Sequence, residues 1–426
     1  MFYKVNLIKI DKIGESYYEC RYAGGPTVLF APNEYTSSFA VIASKFGSID
    51  TEFNYGCKRY RIPEGTAHFL EHKLFETEDG GDAFDLFAKT GAWSNAYTGF
   101  TSTAYLFSAS YDFYESLEIL LDFVAHPHFT KESVEKERGI IAEELSTYED
   151  SPGNRVYFEL LRCMYKNHPV RNDIGGTAET IKRVTPELLY LCHEAFYRPS
   201  NMVLAISGDL DLNKIERIVR KYDVKDGRRA WAVYPQEPAK VYKKQSVIAM
   251  QASQPLFAFG VKDPAVPKDP NERYKRGLAL SVIGDMYFGQ SSGFYTGLYE
   301  EGLISGDISV DYTYSDSFGH FVISGESAKP FTVKRRIKEQ IEKIKKEKIN
   351  EADFELCKKI FYAGFIGSLQ NSQSYAFEML YSYLDGRGLL SYPDDVRALT
   401  ADYAYGVFDS IFTDGQYAFS LVRPID

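Results

Sequence analysis

Two related domains of mixed strand and helix are the fold that this sequence predicts. Three observations carry the reading. The chain has 426 residues, more than one hydrophobic core ordinarily serves. Strand-like and helix-like segments alternate along its first half. After a polar stretch, the second half runs through elements of similar length and order.

The elements follow in sequence. Residues 1–10 alternate apolar and polar side chains as a strand does, without the apolar core and cleavage site of a signal peptide. Residues 28–30 and 39–43 are also strand-like. Thr66 is placed to cap a helix that carries two histidines. Residues 82–90 read as a helix that stops at Gly91. Residues 93–108 are rich in Thr, Tyr and Phe, as strands are. An amphipathic helix is expected over 111–124, and Thr130 is expected to cap a long helix running through Glu144 towards Tyr148. Residues 202–208 read as a buried strand.

A stretch with Gly227, Pro235 and Pro238 then separates the halves. The expected division is a first domain over 1–225, a linker over 226–245 and a second domain over 246–426. The second half opens with strand-like sequence over 247–261, and helices are expected near 274–288, 332–346 and 351–369. The lysine-rich run 334–348 has Ile337, Ile341 and Ile344 at helical spacing, with Glu339, Glu342 and Glu347 breaking up the positive charge. It reads as a solvated amphipathic helix.

Composition narrows the function. Hydrophobic content is 44% and charged content 25%, the balance of a soluble globular protein. No apolar run is long enough to span a membrane, so no membrane association is expected. Net charge is −10, which argues against nucleic acid as a partner. The five cysteines are scattered and form no C-x-x-C pair, as expected of reduced thiols in a cytoplasmic protein. The 33 Tyr and 30 Phe are read chiefly as core. His126 and His128 flank Pro127 and read as a turn rather than a second metal pair.

The chemistry concentrates in His68-Phe69-Leu70-Glu71-His72. On a helix, positions i, i+3 and i+4 share a face, so two imidazoles and a carboxylate point into one space. This is the H-x-x-E-H arrangement of inverted zinc hydrolases. The histidines can hold Zn²⁺ while Glu71, not a ligand, takes a proton from the attacking water. A third ligand is needed. Glu137 and Glu144 lie seven residues apart, two helical turns, and so face the same way, with Ile140 and Ile141 between them on the side expected to pack. Glu144 would complete a His₂Glu site for one Zn²⁺ per chain, leaving a position for water. Glu137 would orient a histidine ligand from behind. Glu143, about 100° from Glu144, is expected at the surface.

These residues resemble the pitrilysin–insulinase family of zinc metallopeptidases, which includes insulin-degrading enzyme and the mitochondrial processing peptidase. The H-x-x-E-H motif, Glu137 and Glu144 match the family signature. So do the flanks at 65–67, 91–98 and 197–202, and, more weakly, 288–293 and 298–303. The resemblance implies an α+β fold of two homologous domains, each an antiparallel sheet covered by helices. It implies that two half-size chains close as a clam shell around a chamber that admits unfolded or short peptides. It also implies that the strand after Gly91 pairs with substrate, with Asn95 and Ala96 as the contacts.

One departure stands out. Active relatives carry an Arg and a Tyr seven residues apart in the second domain, the Arg anchoring substrate and the Tyr donating to the developing oxyanion. Here Tyr299 stands at the Arg position and Ser305 near the Tyr position. Tyr312 and Tyr314 lie downstream at the wrong spacing. The expectation is a zinc endopeptidase chain whose Arg and Tyr come from a homologous sister subunit in a heterodimer, or else a chain that pairs with itself. The competing reading is a non-catalytic assembly subunit that merely retains the metal site.

Overall fold

The computed structural model describes residues 4–21, 24–78, 80–222, 227 and 229–425. It forms two compact units. The first is built on a seven-stranded sheet. Its order is Lys4–Ile10, Glu15–Arg21, Thr27–Pro32, Met202–Gly208, Ser38–Ser44, Thr103–Ala109 and Trp93–Thr98. The second carries a five-stranded sheet in the order Gln245–Met250, Tyr417–Pro424, Leu256–Lys262, Gly319–Glu326 and Ser309–Tyr314.

The last five strands of the first sheet and all five of the second follow one plan. The first strand in sequence lies beside the last, then come the second, fourth and third. Every pair is antiparallel except the first with the last, which is parallel in both sheets. A parallel pair needs a long crossover, and most of each unit's helices lie within that crossover. This shared topology is the internal duplication that sequence identity alone leaves faint.

Both faces of the first sheet are covered. Ala40, Ile42, Tyr105, Phe107, Leu204 and Ile206 join the core under the helices Thr66–Leu74, Ala83–Lys89 and Phe113–Ala125. On the other face, Phe39 meets Phe377 of the helix Ser372–Leu384. Burial on two faces is why these strands are continuously apolar rather than alternating.

The covering helices come from unexpected places. Ser372–Leu384 belongs to the first unit, and Pro152–Met164 belongs to the second, where it packs on all three strands at the parallel edge. A single cut in the sequence therefore does not separate the two units. Residues 223–226 and 228, around the start of the expected linker, lie outside the described residues, as do 1–3 of the first expected strand. Among the described residues no helix is long and apolar enough to cross a membrane.

Local expectations fare differently at two positions. Thr66 is the first residue of its helix, not the cap. Gly65 takes the cap position at φ 84°, and the Thr66 hydroxyl turns back to donate to the Pro63 carbonyl at 2.7 Å. Ile140 does not pack: it is 47% exposed, while Ile141 is fully buried. One helical turn presents a narrow apolar stripe, and adjacent residues lie about 100° apart. Thr130 behaves as expected, exchanging hydrogen bonds with Ser133 at the start of Lys131–Glu149. Val333, Ile337, Ile341 and Ile344 form the buried stripe of the lysine-rich helix.

The entry to the histidine helix is locked by a glycine pair. A Cβ on Gly65 would fall 2.2 Å from the Gly175 carbonyl oxygen, and one on Gly176, at φ 76°, would fall 2.5 Å from the Glu64 oxygen. The two backbones interlock where only glycine fits. Gly65→Ala is expected to cost more than about 2 kcal/mol, combining left-handed strain with the clash. An unchanged unfolding midpoint in urea would refute this account of the helix entry.

Candidate metal centre

Eight of the nine residues of the helix Thr66–Leu74 are buried, His72 being the exception, because Phe69, Leu70 and Leu74 join the core. That packing fixes the rotation of the helix and aims His68, Glu71 and His72 together towards Lys131–Glu149. The long helix is anchored in turn by Val134, Ile141 and Leu145. Its Glu137 and Glu144 then face the histidines.

One potential ligand atom from each of His68, His72 and Glu144 lies within 4.8 Å of the others. His68 Nε2 is 3.7 Å from one Glu144 oxygen, and His72 Nε2 is 3.3 Å from the other. Ligand atoms about 2.0–2.1 Å from a tetrahedral zinc are roughly 3.3–3.5 Å from one another, so the spacing suits the ion. His72 Nδ1 is 3.0 Å from Glu137 Oε1, which leaves Nε2 facing the cluster. His68 Nδ1 is buried with no hydrogen-bond partner among the described residues.

Glu71 points into the same space without joining the ligand group. It is buried, and Thr98 Oγ1 donates to its Oε2 at 2.5 Å. Burial pushes the Glu71 carboxyl above the usual carboxylate range, opposed by the Thr98 bond. Burial lowers His68 to about 4, and the neighbouring His72 charge acts in the same direction. Burial also opposes charge on His72, but the Glu137 bond and the carboxylates around it raise His72 overall. For Glu137 burial pushes upward, and its bond to His72 together with the charges of His72, Lys73 and Lys136 more than reverses that. Three carboxylates and two imidazoles in so small a space form a donor set that a divalent cation would neutralise.

The strand Trp93–Thr98 ends its sheet, with Thr103–Ala109 on one side and no strand on the other among the described residues. Ala96 packs towards the core, and Asn95 is exposed, its Oδ1 accepting from the Ala96 amide at 2.9 Å. Glu143 is exposed. His126 closes a helix and pairs with Asp122 at the surface.

In the second unit, Tyr299 is 58% exposed and the Ser305 hydroxyl donates to Gln254. Tyr312 is committed to Asp263, which also holds Arg276 through two bonds. The helix Pro270–Phe288 occupies the place in the second unit's plan that the histidine helix has in the first, and it contains no histidine.

A family profile described as Insulinase (Peptidase family M16) matches residues 61–178, and one described as Peptidase M16 inactive domain matches 183–361. The chain is 38% identical over 389 residues to a Bacillus subtilis (strain 168) protein called uncharacterized zinc protease YmfH, covering 89% of this chain and 90% of that one. The chain belongs to the insulinase family, peptidase family M16. Among solved insulinase-like structures, an M16-like peptidase from Alicyclobacillus acidocaldarius superposes with a TM-score of 0.91 at 31% identity, covering 99% of this chain and 98% of that one. A protease from Helicobacter pylori shares the fold, with a TM-score of 0.82 at 21% identity and full coverage of both chains. In this insulinase-family chain the first profile contains the whole His–His–Glu group.

Sequence reasoning gave Thr98 no role, although it lies in the flank that marks the family. Its bond to Glu71 depends on which face of the strand it occupies, and that is a tertiary fact. The contact of Gly65 with Gly175 and Gly176 likewise joins segments far apart in sequence.

Zinc titration of the metal-stripped chain should reach one ion per chain. Glu144→Ala should lose tight binding, whereas Glu143→Ala should bind as the parent does. Equal zinc content in the two variants would remove Glu144 from the ligand set.

Proposed function

We propose that this chain is a zinc-dependent endopeptidase that cuts unfolded or short peptides. The observation that carries the proposal is the convergence of His68, His72 and Glu144 with Glu71 held beside them. His68, His72 and Glu144 are the proposed ligands of one zinc ion. Zinc, when bound, would polarise the scissile carbonyl and make water more acidic.

The remaining work falls to side chains. Glu71 is the general base, and its raised pKa suits a group that must take up a proton and hand it to the leaving amine. Glu137 keeps the His72 ring oriented through Nδ1. The open edge of Trp93–Thr98 offers backbone groups to an extended peptide, with Asn95 and Ala96 as the proposed contacts.

No oxyanion donor is assigned to this chain at the positions where the family resemblance expects one. Tyr299 and Ser305 replace the expected pair, and Tyr312 is engaged by Asp263. We therefore assign the Arg and Tyr to a homologous sister subunit. Loss of one oxyanion donor typically costs about 10²–10³ in rate. The description of the second matched profile as an inactive domain is compatible with this division and also with the assembly-subunit reading.

The test uses the zinc-loaded chain and a quenched fluorescent peptide, with the sister chain from the same organism titrated in. Cleavage should rise by about 10²-fold or more with the sister. Equal rates with and without it would refute the division of labour, and no cleavage in either case would favour the assembly role. Glu71→Gln should keep its zinc and lose cleavage, because an amide cannot accept the proton. Retention of more than about a few per cent of activity would remove Glu71 from the base role.

A further inference from the structure

We infer that Thr98 is a positioning residue that dictates which oxygen of Glu71 receives the proton. The inference rests on the peptidase reading above. Thr98 is the last residue of the edge strand and is buried. Its Oγ1 lies 2.5 Å from Glu71 Oε2.

The direction of that bond follows from its neighbours. The other hydroxyl within reach is Thr103 Oγ1, at 3.4 Å. Thr103 directs its single proton to the Phe46 carbonyl at 2.8 Å. It can therefore only accept from Thr98, and the far shorter contact to Glu71 takes the Thr98 proton. Glu71 Oε2 is then already a hydrogen-bond acceptor. Its electron density is partly engaged, so Oε1 is the better base of the two.

The chemistry follows. The O–H bond of the attacking water breaks as the water oxygen bonds to the scissile carbon, the carbonyl π pair moves onto the carbonyl oxygen, and the proton goes to Glu71 Oε1. When the oxygen pair re-forms the carbonyl, the C–N bond breaks with its electrons going to nitrogen, and that proton passes from Oε1 to the leaving nitrogen. Thr98 keeps its own proton throughout. Without the hydroxyl, the carboxylate can rotate and present either oxygen in a poorer direction.

Thr98 is well placed to hold a neighbour still, because it is held itself. It pairs with Thr103 across the hairpin, and Gly99 N–H donates to the Ser102 carbonyl at 2.8 Å. The hairpin tip is fastened to the next loop by Ser48 N–H to the Gly99 oxygen at 3.0 Å and Ile49 N–H to the Phe100 oxygen at 3.1 Å. A Cβ on Gly47 would lie 2.3 Å from the Phe100 oxygen, so the approach is as close as backbone allows. One rigid strand thus carries the open edge and the clamp on the base.

The test compares Thr98→Val, Thr98→Ala and Thr98→Ser in the competent assembly, with zinc content, steady-state kinetics and zinc-loaded crystal structures as readouts. Val and Ala should bind zinc as the parent does and leave KM within about twofold, while kcat falls about 10- to 100-fold. Ser, which keeps the hydroxyl, should restore kcat. In the Val or Ala crystal structure the Glu71 carboxylate should be rotated or spread over several positions. If Val fails to fold, Ala carries the comparison. Unchanged kcat in Val or Ala, or Ser as impaired as they are, would overturn the inference. So would a Glu71 carboxylate that stays in place without the hydroxyl. If the parent assembly cleaves nothing, the peptidase reading fails separately, and the Glu71 conformation still decides whether Thr98 positions it.

Discussion

The hydrogen bond between His72 Nδ1 and Glu137 Oε1 ties together the two helices that make the centre. It does so at a place where every alternative is costly. Two imidazoles and three carboxylates lie in a largely buried space, and unpaired charge there would be strongly unfavourable. The apolar anchors around the site, Phe69, Leu70 and Leu74 on one helix and Val134, Ile141 and Leu145 on the other, leave the polar groups little freedom to move apart. Packing sets the helix rotations, the Glu137 bond sets the imidazole, and the remaining nitrogens and Glu144 are left facing one another.

The duplicated topology gives the site its context. Both units place a helix after the second strand of the shared plan, and one of the two carries the paired histidines. The second unit invests its buried polar groups elsewhere. Asp263, Arg276 and Tyr312 form a hydrogen-bonded set that stabilises that unit and leaves Tyr312 no proton to offer a substrate. The two units thus share a topology, while among the described residues only the first carries a His–His–Glu group.

Much of this was legible in the sequence because the decisive spacings are local. The i, i+4 and i, i+7 relations on helices need no tertiary information, so His68, Glu71, His72, Glu137 and Glu144 could be named from pattern alone. What escaped depends on distant partners. Thr66 has the chemistry of a cap, yet Gly65 takes that position because the loop at 175–176 presses against it. Ile140 looks as apolar as Ile141, but the stripe of contact is too narrow for both. The helices Pro152–Met164 and Ser372–Leu384 were not assigned to the units that they cover, because no local signal says which sheet an amphipathic helix will find. Thr98 is an ordinary strand threonine until the strand is registered against the histidine helix.

The central claim is that zinc is held by two imidazoles and a carboxylate on two crossing helices. Zinc K-edge absorption spectroscopy of the zinc-loaded chain tests it most directly. The account predicts a first shell of two imidazole nitrogens at about 2.0–2.1 Å with the remaining ligands oxygen. A sulfur scatterer near about 2.3 Å, or a shell with fewer than two imidazoles, would contradict it.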